Sequence, residues 1–378
     1  QKLVQSAFAG KPEDIISQSV AKALYGEVSP YSATRLERFA ACAFAHFLQY
    51  GMKLTERVEY EFKPMDMGNV MHGALESFAE EVRKRGMKWT ELTEQERNEI
   101  ADRCLDNIVA DYGNTVLKSS ARNEYMIERT RRILRRTVWA LQKQLEQGEF
   151  QPEGFEVTFG GGRIDRVDIM EDQNKVYVKV IDYKTGNTSF DLVYLYHGLQ
   201  LQLMIYLDGA LRVEQKKYPD KEIIPAGVFY YNIKDPMIQE KIDADVEAVS
   251  AGLMKELKMN GLVQADPELV YRIDSSLGSI PVAFNKDGSF RKNSSVADRT
   301  QFAVLGRYVR TKIEKIRSSI LEGDAEVSPY ELGKKNACTY CPYMTVCGFD
   351  RRLSGYEFRR LKNFSDEELW KAFDREAE

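Results

Sequence analysis

Apolar residues first recur at helical spacing. Ser32 stands as an N-cap ahead of Arg35-Leu36-Glu37, and Phe39, Ala40, Phe44 and Phe47 follow on one helical side. A second helix is predicted over 68–85, with Val70, Leu75, Phe78 and Val82 as its apolar side. A third, over 125–147, carries the stripe Ile133, Leu134, Val138, Leu141 and Leu145. The period then drops to two. Residues 155–159, 163–169 and 176–182 read as strands, separated by Gly160-Gly161-Gly162 and by Glu171-Asp172-Gln173-Asn174. Short turns between them predict an antiparallel three-stranded meander. One helix over 192–213, a strand over 226–233 after Pro225, a loop or hairpin over 270–296 and a helix over 297–322 complete the pattern. Helix, three strands, helix and strand describe an α/β fold with a small mixed sheet flanked by helices. The first thirty residues are weakly patterned, a linker or helix ending at Pro30.

Composition agrees with a packed core: 43% of the 378 residues are hydrophobic and 30% charged. No apolar run approaches the roughly 20 residues needed to cross a bilayer, and there is no signal-peptide pattern. A soluble, cytoplasmic protein with no membrane partner is the expectation. A chain that begins with Gln1 reads as a fragment of a longer protein. The net charge of −4 counts mildly against a nucleic-acid partner. Phosphate contacts need only local cations, however. Arg129, Arg131, Arg132, Arg135 and Arg136 form one cluster, and Arg351, Arg352, Arg359, Arg360 and Lys362 another. A solvated helix face is the competing reading of each.

The meander carries the candidate chemistry. Asp165 lies on its second strand and Asp182 ends its third, with Lys184 two residues on and therefore on the same face. Antiparallel pairing brings Asp165 beside Asp182. Two close carboxylates repel unless a cation sits between them, and hard oxygen donors favour Mg²⁺ or Mn²⁺. Such an ion polarises a phosphodiester and acidifies a bound water, while Lys184 orients that water and offsets developing charge. Gln202 and Tyr206, four apart, share one helix face. D-x-K alone is common by chance; its place at the end of an apolar strand, Val178-Lys179-Val180-Ile181, gives it weight.

Gly162-Arg163-Ile164-Asp165-Arg166, then Ile181-Asp182-Tyr183-Lys184-Thr185-Gly186, then Gln202-Leu203-Met204-Ile205-Tyr206, resembles the signature of PD-(D/E)xK nucleases of the RecB type. Upstream, Gly68 to Glu76 resembles the helix whose histidine, here His72, is a metal ligand in that family. The resemblance implies a restriction-endonuclease-like core at about 150–235 within a nuclease domain spanning 31–378. It implies catalytic roles for Asp165, Asp182, Lys184, Gln202 and Tyr206, with His72, Asp165 and Asp182 on the metal and Gln202 beside it, in contact with DNA. Glu156 is a further candidate carboxylate, and Asp168 joins it only if the meander register allows. Glu76, one helical turn from His72, is placed to buttress it or to be an ordinary helix carboxylate.

Five cysteines in a chain without a signal peptide argue against a disulfide framework. Cys104 reads as a free thiol. Cys338, Cys341 and Cys347 have ligand spacing, and spacing alone suits a structural zinc as well as an iron–sulfur centre. One upstream cysteine, Cys42, with three at the end resembles AddB-like nucleases, in which a [4Fe–4S] cluster joins the N- and C-terminal segments. Ala43 follows Cys42 where that family carries proline. The resemblance implies the single-strand DNA exonuclease of an AddAB-type helicase–nuclease. There it cuts the 5′-terminated strand after unwinding, beside the partner subunit AddA, in double-strand break repair. No G-x-x-x-x-G-K-[ST] loop is present, so ATP binding by this chain alone is not expected. Two alternatives are a stand-alone RecB-like iron–sulfur exonuclease and a catalytically silent DNA-binding module.

Overall fold

The computed structural model describes residues 15–26, 31–55, 64–111, 120–160, 162–238 and 245–377. Most of the expected opening linker, with Pro30 and Gly161, lies outside the described residues. Within the opening segment, helix α1 (Gln18–Tyr25) is capped by Ser17 and buries Ala21 and Tyr25.

Helix α2 (Ala33–Ala41) begins at Ser32, whose hydroxyl accepts the Arg35 N–H. The apolar spacing from Phe39 to Phe47 is not one helix. Cys42, at φ −167°, ends α2 in extended backbone before a short turn, Ala43–His46. Helices α3 (Pro64–Lys84), α4 (Glu94–Asp111) and α5 (Ala121–Glu146) follow. The meander forms as expected: β1 (Gln151–Phe159), β2 (Gly162–Asp172) and β3 (Lys175–Lys184) are antiparallel neighbours.

The helix expected over 192–213 divides into α6 (Leu192–Tyr196) and α7 (Gln202–Lys217). Gly198, at φ +78°, causes the break, because left-handed backbone cannot continue a helix. Strand β4 (Glu222–Asn232) then runs parallel to β3. Helix α8 (Val246–Glu256) and strand β5 (Asn260–Gln264) are additions to the sequence reading. The span 270–296 opens inside another helix, α9 (Pro267–Ile273), whose N-cap Asp266 and N1 proline fix its start. The rest of that span is irregular, apart from a bridge between Phe284 and Phe290. After β6 (Val296–Ala297), helix α10 (Arg299–Glu322) starts from a capping box of Asp298 and Gln301. A small sheet forms from β7 (Tyr330–Leu332), β8 (Lys335–Asn336) and β9 (Arg359–Arg360), ahead of helix α11 (Asp366–Ala377).

The main sheet is mixed, ordered β1-β2-β3-β4-β5-β6. One core, containing Val178, Val180, Val228 and Tyr230, lies against α7, α10, α1, α2 and α11. The other, containing Tyr177, Ile181, Tyr183 and Phe229, lies against α3, α4 and α5. Strand alternation therefore sends Asp182 and Lys184 toward the α7 layer and Tyr183 toward the α3 layer. No helix among the described residues is long and apolar enough to cross a membrane.

Candidate metal centre

The site forms where α3 crosses the ends of β1, β2 and β3. Gly68 allows the crossing, since a Cβ there would already stand 3.4 Å from Thr185 Oγ1. One turn further along α3, His72 Nδ1 lies 3.4 Å from Asp165 Oδ2 and 3.9 Å from Glu156 Oε1. His72 Nε2 lies 3.1 Å from the Tyr183 carbonyl oxygen. A carbonyl only accepts, so that contact puts a proton on Nε2 and turns Nδ1 toward the carboxylates. Donor atoms of His72, Glu156 and Asp165 all lie within 4.8 Å of one another, close enough to share one ion.

Glu156 reaches this cluster through unusual backbone. Its φ is +49°, in the left-handed region that non-glycine residues avoid. The flanking pairs Phe155–Arg166 and Val157–Ile164 place it across from Asp165, and its other oxygen meets Arg163 Nε at 2.5 Å. Strain of this kind, about 1–3 kcal/mol, persists where surrounding structure fixes it, and such sites are often functional. Periodicity gives no hint of it.

Asp182 is buried, and its Oδ2 meets Lys184 Nζ at 2.5 Å. Lys184 Nζ also donates to Gln202 Oε1 at 2.7 Å, and Gln202 Nε2 donates to the Tyr206 hydroxyl at 2.9 Å. The Tyr206 contact fixes which way the Gln202 amide faces, so that its oxygen points at the lysine. All five expected catalytic residues thus belong to one connected site, with Asp182 committed to Lys184 while Glu156 joins His72 and Asp165. Sequence reasoning missed Glu37 of α2. Its Oε1 accepts the backbone N–H groups of Leu201 (2.7 Å) and Gln202 (3.0 Å). No local spacing links it to the motifs.

Burial and repulsion shape the electrostatics. Removal from water, then the charge of Asp182, raises Asp165 to about 7. Asp182 is raised by burial against the opposing pull of Lys184. Burial alone would lower His72, but hydrogen bonding to Glu156 and the charge of Asp165 outweigh it and raise its pKa. A cluster that holds protons in this way is short of positive charge. One imidazole and two carboxylates are donors that a divalent cation accepts. Asp182 Oδ2 also receives no directed hydrogen bond among the described residues.

Three expectations change. Asp168 does not join Glu156: it pairs with Lys179 across β2 and β3 and is fully buried on the α3–α5 side. There it binds Arg166 at 2.5 and 2.9 Å and Lys179 at 3.0 Å. Glu76 is not the buttress of His72, whose nitrogens face Glu156, Asp165 and the Tyr183 carbonyl. The arginine clusters are largely neutralised within the chain. Arg131 and Arg135 pair with Asp102, Arg132 with Asp235, Arg352 with Asp350 and Arg360 with Glu331.

At the other end of α2, Cys42, Cys338, Cys341 and Cys347 line one small pocket with Phe44 and Tyr343. Burial, then the neighbouring cysteines, pushes the Cys338 thiol up to about 12. Cys104 is a free thiol in the α3–α5 core.

The PD-(D/E)XK nuclease superfamily model matches residues 30–348, which include every residue of the metal cluster and all four clustered cysteines. The chain belongs to the PD-(D/E)XK nuclease superfamily. Its curated relatives include the ATP-dependent helicase/deoxyribonuclease subunit (AddB) of Lachnoclostridium phytofermentans, 42% identical over all of this chain and 34% of that protein. The proteins of the same description from Thermoanaerobacter sp. and Clostridium acetobutylicum are each 35% identical over 96% of this chain, covering 34% and 33% of their own lengths. This nuclease-superfamily chain therefore spans about a third of the length of these relatives.

Proposed function

We propose that this chain hydrolyses phosphodiester bonds of DNA with Mg²⁺ or Mn²⁺. In this reading it is the single-strand exonuclease of an AddAB-type helicase–nuclease, acting on the 5′-terminated strand beside AddA in break repair. Residues 31–378 form the nuclease domain, with its catalytic core at about 150–235. The observation that carries the proposal is the convergence of His72, Glu156 and Asp165 within 4.8 Å, beside the ammonium of Lys184. The description of the curated relatives as components of a helicase/deoxyribonuclease supports DNA as substrate and a larger assembly as the setting.

A divalent cation at the cluster supplies charge to the scissile phosphate and makes a water acidic enough to attack. His72, Glu156 and Asp165 would hold it, with Asp182 alongside. Lys184 has three N–H groups. Asp182 and Gln202 engage two of its directions and leave the third for a phosphate oxygen or the attacking water. Because Gln202 and Asp182 fix that ammonium in advance, its charge is in place as negative charge develops.

The cysteine pocket fits a [4Fe–4S] cluster held by Cys42, Cys338, Cys341 and Cys347. Zinc bonds of about 2.3 Å would draw four thiolates to within about 3.8 Å of each other. Among the described residues no three of these sulfurs lie within 4.8 Å of one another, which supports the larger inorganic core. Its role is structural, tying the tail to α2.

The test is cleavage of end-labelled single-stranded DNA with Mg²⁺ or Mn²⁺, beside Asp182→Ala. Loss of cleavage in the variant is expected, and comparison of 5′- and 3′-labelled substrates reads polarity. An inert unmodified chain, or equal cleavage by both proteins, overturns the assignment and favours a silent DNA-binding module.

A further inference from the structure

Helix α7 carries Gln202 and Tyr206 but has no cap of its own. Its N-cap residue is Leu201, which has no side-chain acceptor to offer. The first N–H groups of a helix have no intrahelical partner. Here the Leu201 and Gln202 N–H groups both donate to Glu37 Oε1, a side chain 164 and 165 residues earlier in the chain. A carboxylate at this position also meets the positive end of the helix dipole. Glu37 lies close enough to the reacting groups for Lys184 and Asp182 to act on its charge.

The bonds form a continuous line. Glu37 holds the backbone of Gln202, the Gln202 side chain holds Lys184, and Lys184 pairs with Asp182. Glu37 sits on the nine-residue α2, which ends at Cys42 in the cysteine pocket. From the tail, the Arg359 guanidinium donates to the carbonyl of Ala40 on the same helix. One short helix therefore has the cysteine pocket at its end and the catalytic lysine's support on its side.

We infer that Glu37 is a positioning residue: it caps the catalytic helix from a distance and, through Gln202, sets where Lys184 stands. The inference rests on the nuclease reading above. It also makes the cysteine clamp's effect on catalysis specific, because displacement of α2 would move Glu37 and release the lysine.

The experiment compares the 378-residue chain with its Glu37→Ala and Glu37→Gln variants. Three quantities are read: hydrogen exchange at the Leu201 and Gln202 amides, kcat and KM on a single-stranded oligonucleotide with Mg²⁺, and Mn²⁺ affinity by calorimetry. In Glu37→Ala the two amides, protected by Glu37 alone, should exchange about tenfold faster. Its kcat should fall about ten- to a hundredfold, as small displacements of catalytic groups do, with KM and Mn²⁺ affinity unchanged. Glu37→Gln keeps an acceptor oxygen and should recover much of both losses. Unchanged exchange or unchanged kcat in Glu37→Ala overturns the inference. So does a loss of Mn²⁺ affinity that Gln does not restore, which would mark general damage. If the unmodified chain does not cut DNA, the nuclease reading fails separately, and the exchange of the two amides still decides whether Glu37 holds the helix.

Discussion

The Asp165 carboxylate accepts the backbone N–H of Tyr183 at 2.7 Å, so a metal-facing side chain of β2 is anchored to the strand that presents Asp182 and Lys184. The bond uses Oδ2, the same oxygen that faces His72. Asn at this position keeps an acceptor for the N–H and removes the charge. Asp165→Asn is therefore expected to fold with a melting temperature within a few degrees of the unmodified chain. Its Mn²⁺ affinity should fall by at least about tenfold, since loss of outer partners alone reaches that scale. Calorimetric titration with Mn²⁺ beside a thermal melt checks both parts. Retained affinity would remove Asp165 from the ligand set.

Stability should depend on pH in a direction that the same cluster dictates. Asp165, lifted to about 7 by burial and by Asp182, binds its proton more tightly folded than unfolded. The His72 pKa is also raised, by Glu156 and Asp165 against the effect of burial. Glu37 is raised to about 7, chiefly by burial. A folded state that holds extra protons gains stability as pH falls. For the two carboxylates that gain accrues between about 7 and about 4; for His72 it is lost as pH rises through its raised pKa. The metal-free chain should thus melt at lower temperature at pH 8 than at pH 6, by an amount on the order of a few degrees. Mn²⁺ at pH 8 should restore much of the difference, because binding to the folded state stabilises by mass action. Melts across pH, with and without the ion, measure this, and a metal-free chain more stable at pH 8 would contradict it.

Much of the site was legible because its parts follow simple periods. Alternation marked the meander, and a two-residue offset put Asp182 and Lys184 on one face. Ligand spacing marked the tail cysteines, and family order added His72, Gln202, Tyr206 and Cys42. What was hidden depends on backbone geometry or distance in the chain. The left-handed turn at Glu156 brings its carboxylate to His72, and no alternation encodes that. Gly198 splits an apolar stretch that reads as one helix. Glu37 meets Gln202 only after the whole sheet has formed between them. Asp168, on the run that carries Asp165, is separated from it in function by the pleat, which sends it to the opposite layer.

That placement of Asp168 makes a contrasting prediction. Its carboxylate is the counter-ion of two fully buried cations, Arg166 and Lys179, and they hold its pKa down despite burial. Asp168→Asn would leave net positive charge in the core under Trp89 and Phe155. Removing one partner of a buried pair costs about 3–5 kcal/mol. Urea unfolding should show a loss of that order, with Mn²⁺ affinity of the folded protein unchanged. Equal effects on stability and on metal binding would place Asp168 back in the site.

The cysteine pocket gives the last prediction. Cys42 belongs to α2, while Cys338, Cys341 and Cys347 lie some three hundred positions later, so a shared centre closes a very long loop. Closure of such a loop removes several kcal/mol of unfolded-state entropy on the order given by chain statistics. Cys341→Ala should therefore lower the unfolding midpoint and abolish the brown absorbance of an iron–sulfur cluster together. It should also release α2, so that the Leu201 and Gln202 amides exchange faster even though neither residue touches a cysteine. Visible spectroscopy and iron analysis on anaerobically purified protein test the first part, and amide exchange tests the second. A colourless, zinc-loaded chain with full nuclease activity would overturn the iron–sulfur assignment. A bleached variant with unchanged exchange at Leu201 would keep the cluster and break the mechanical link between the clamp and the catalytic lysine.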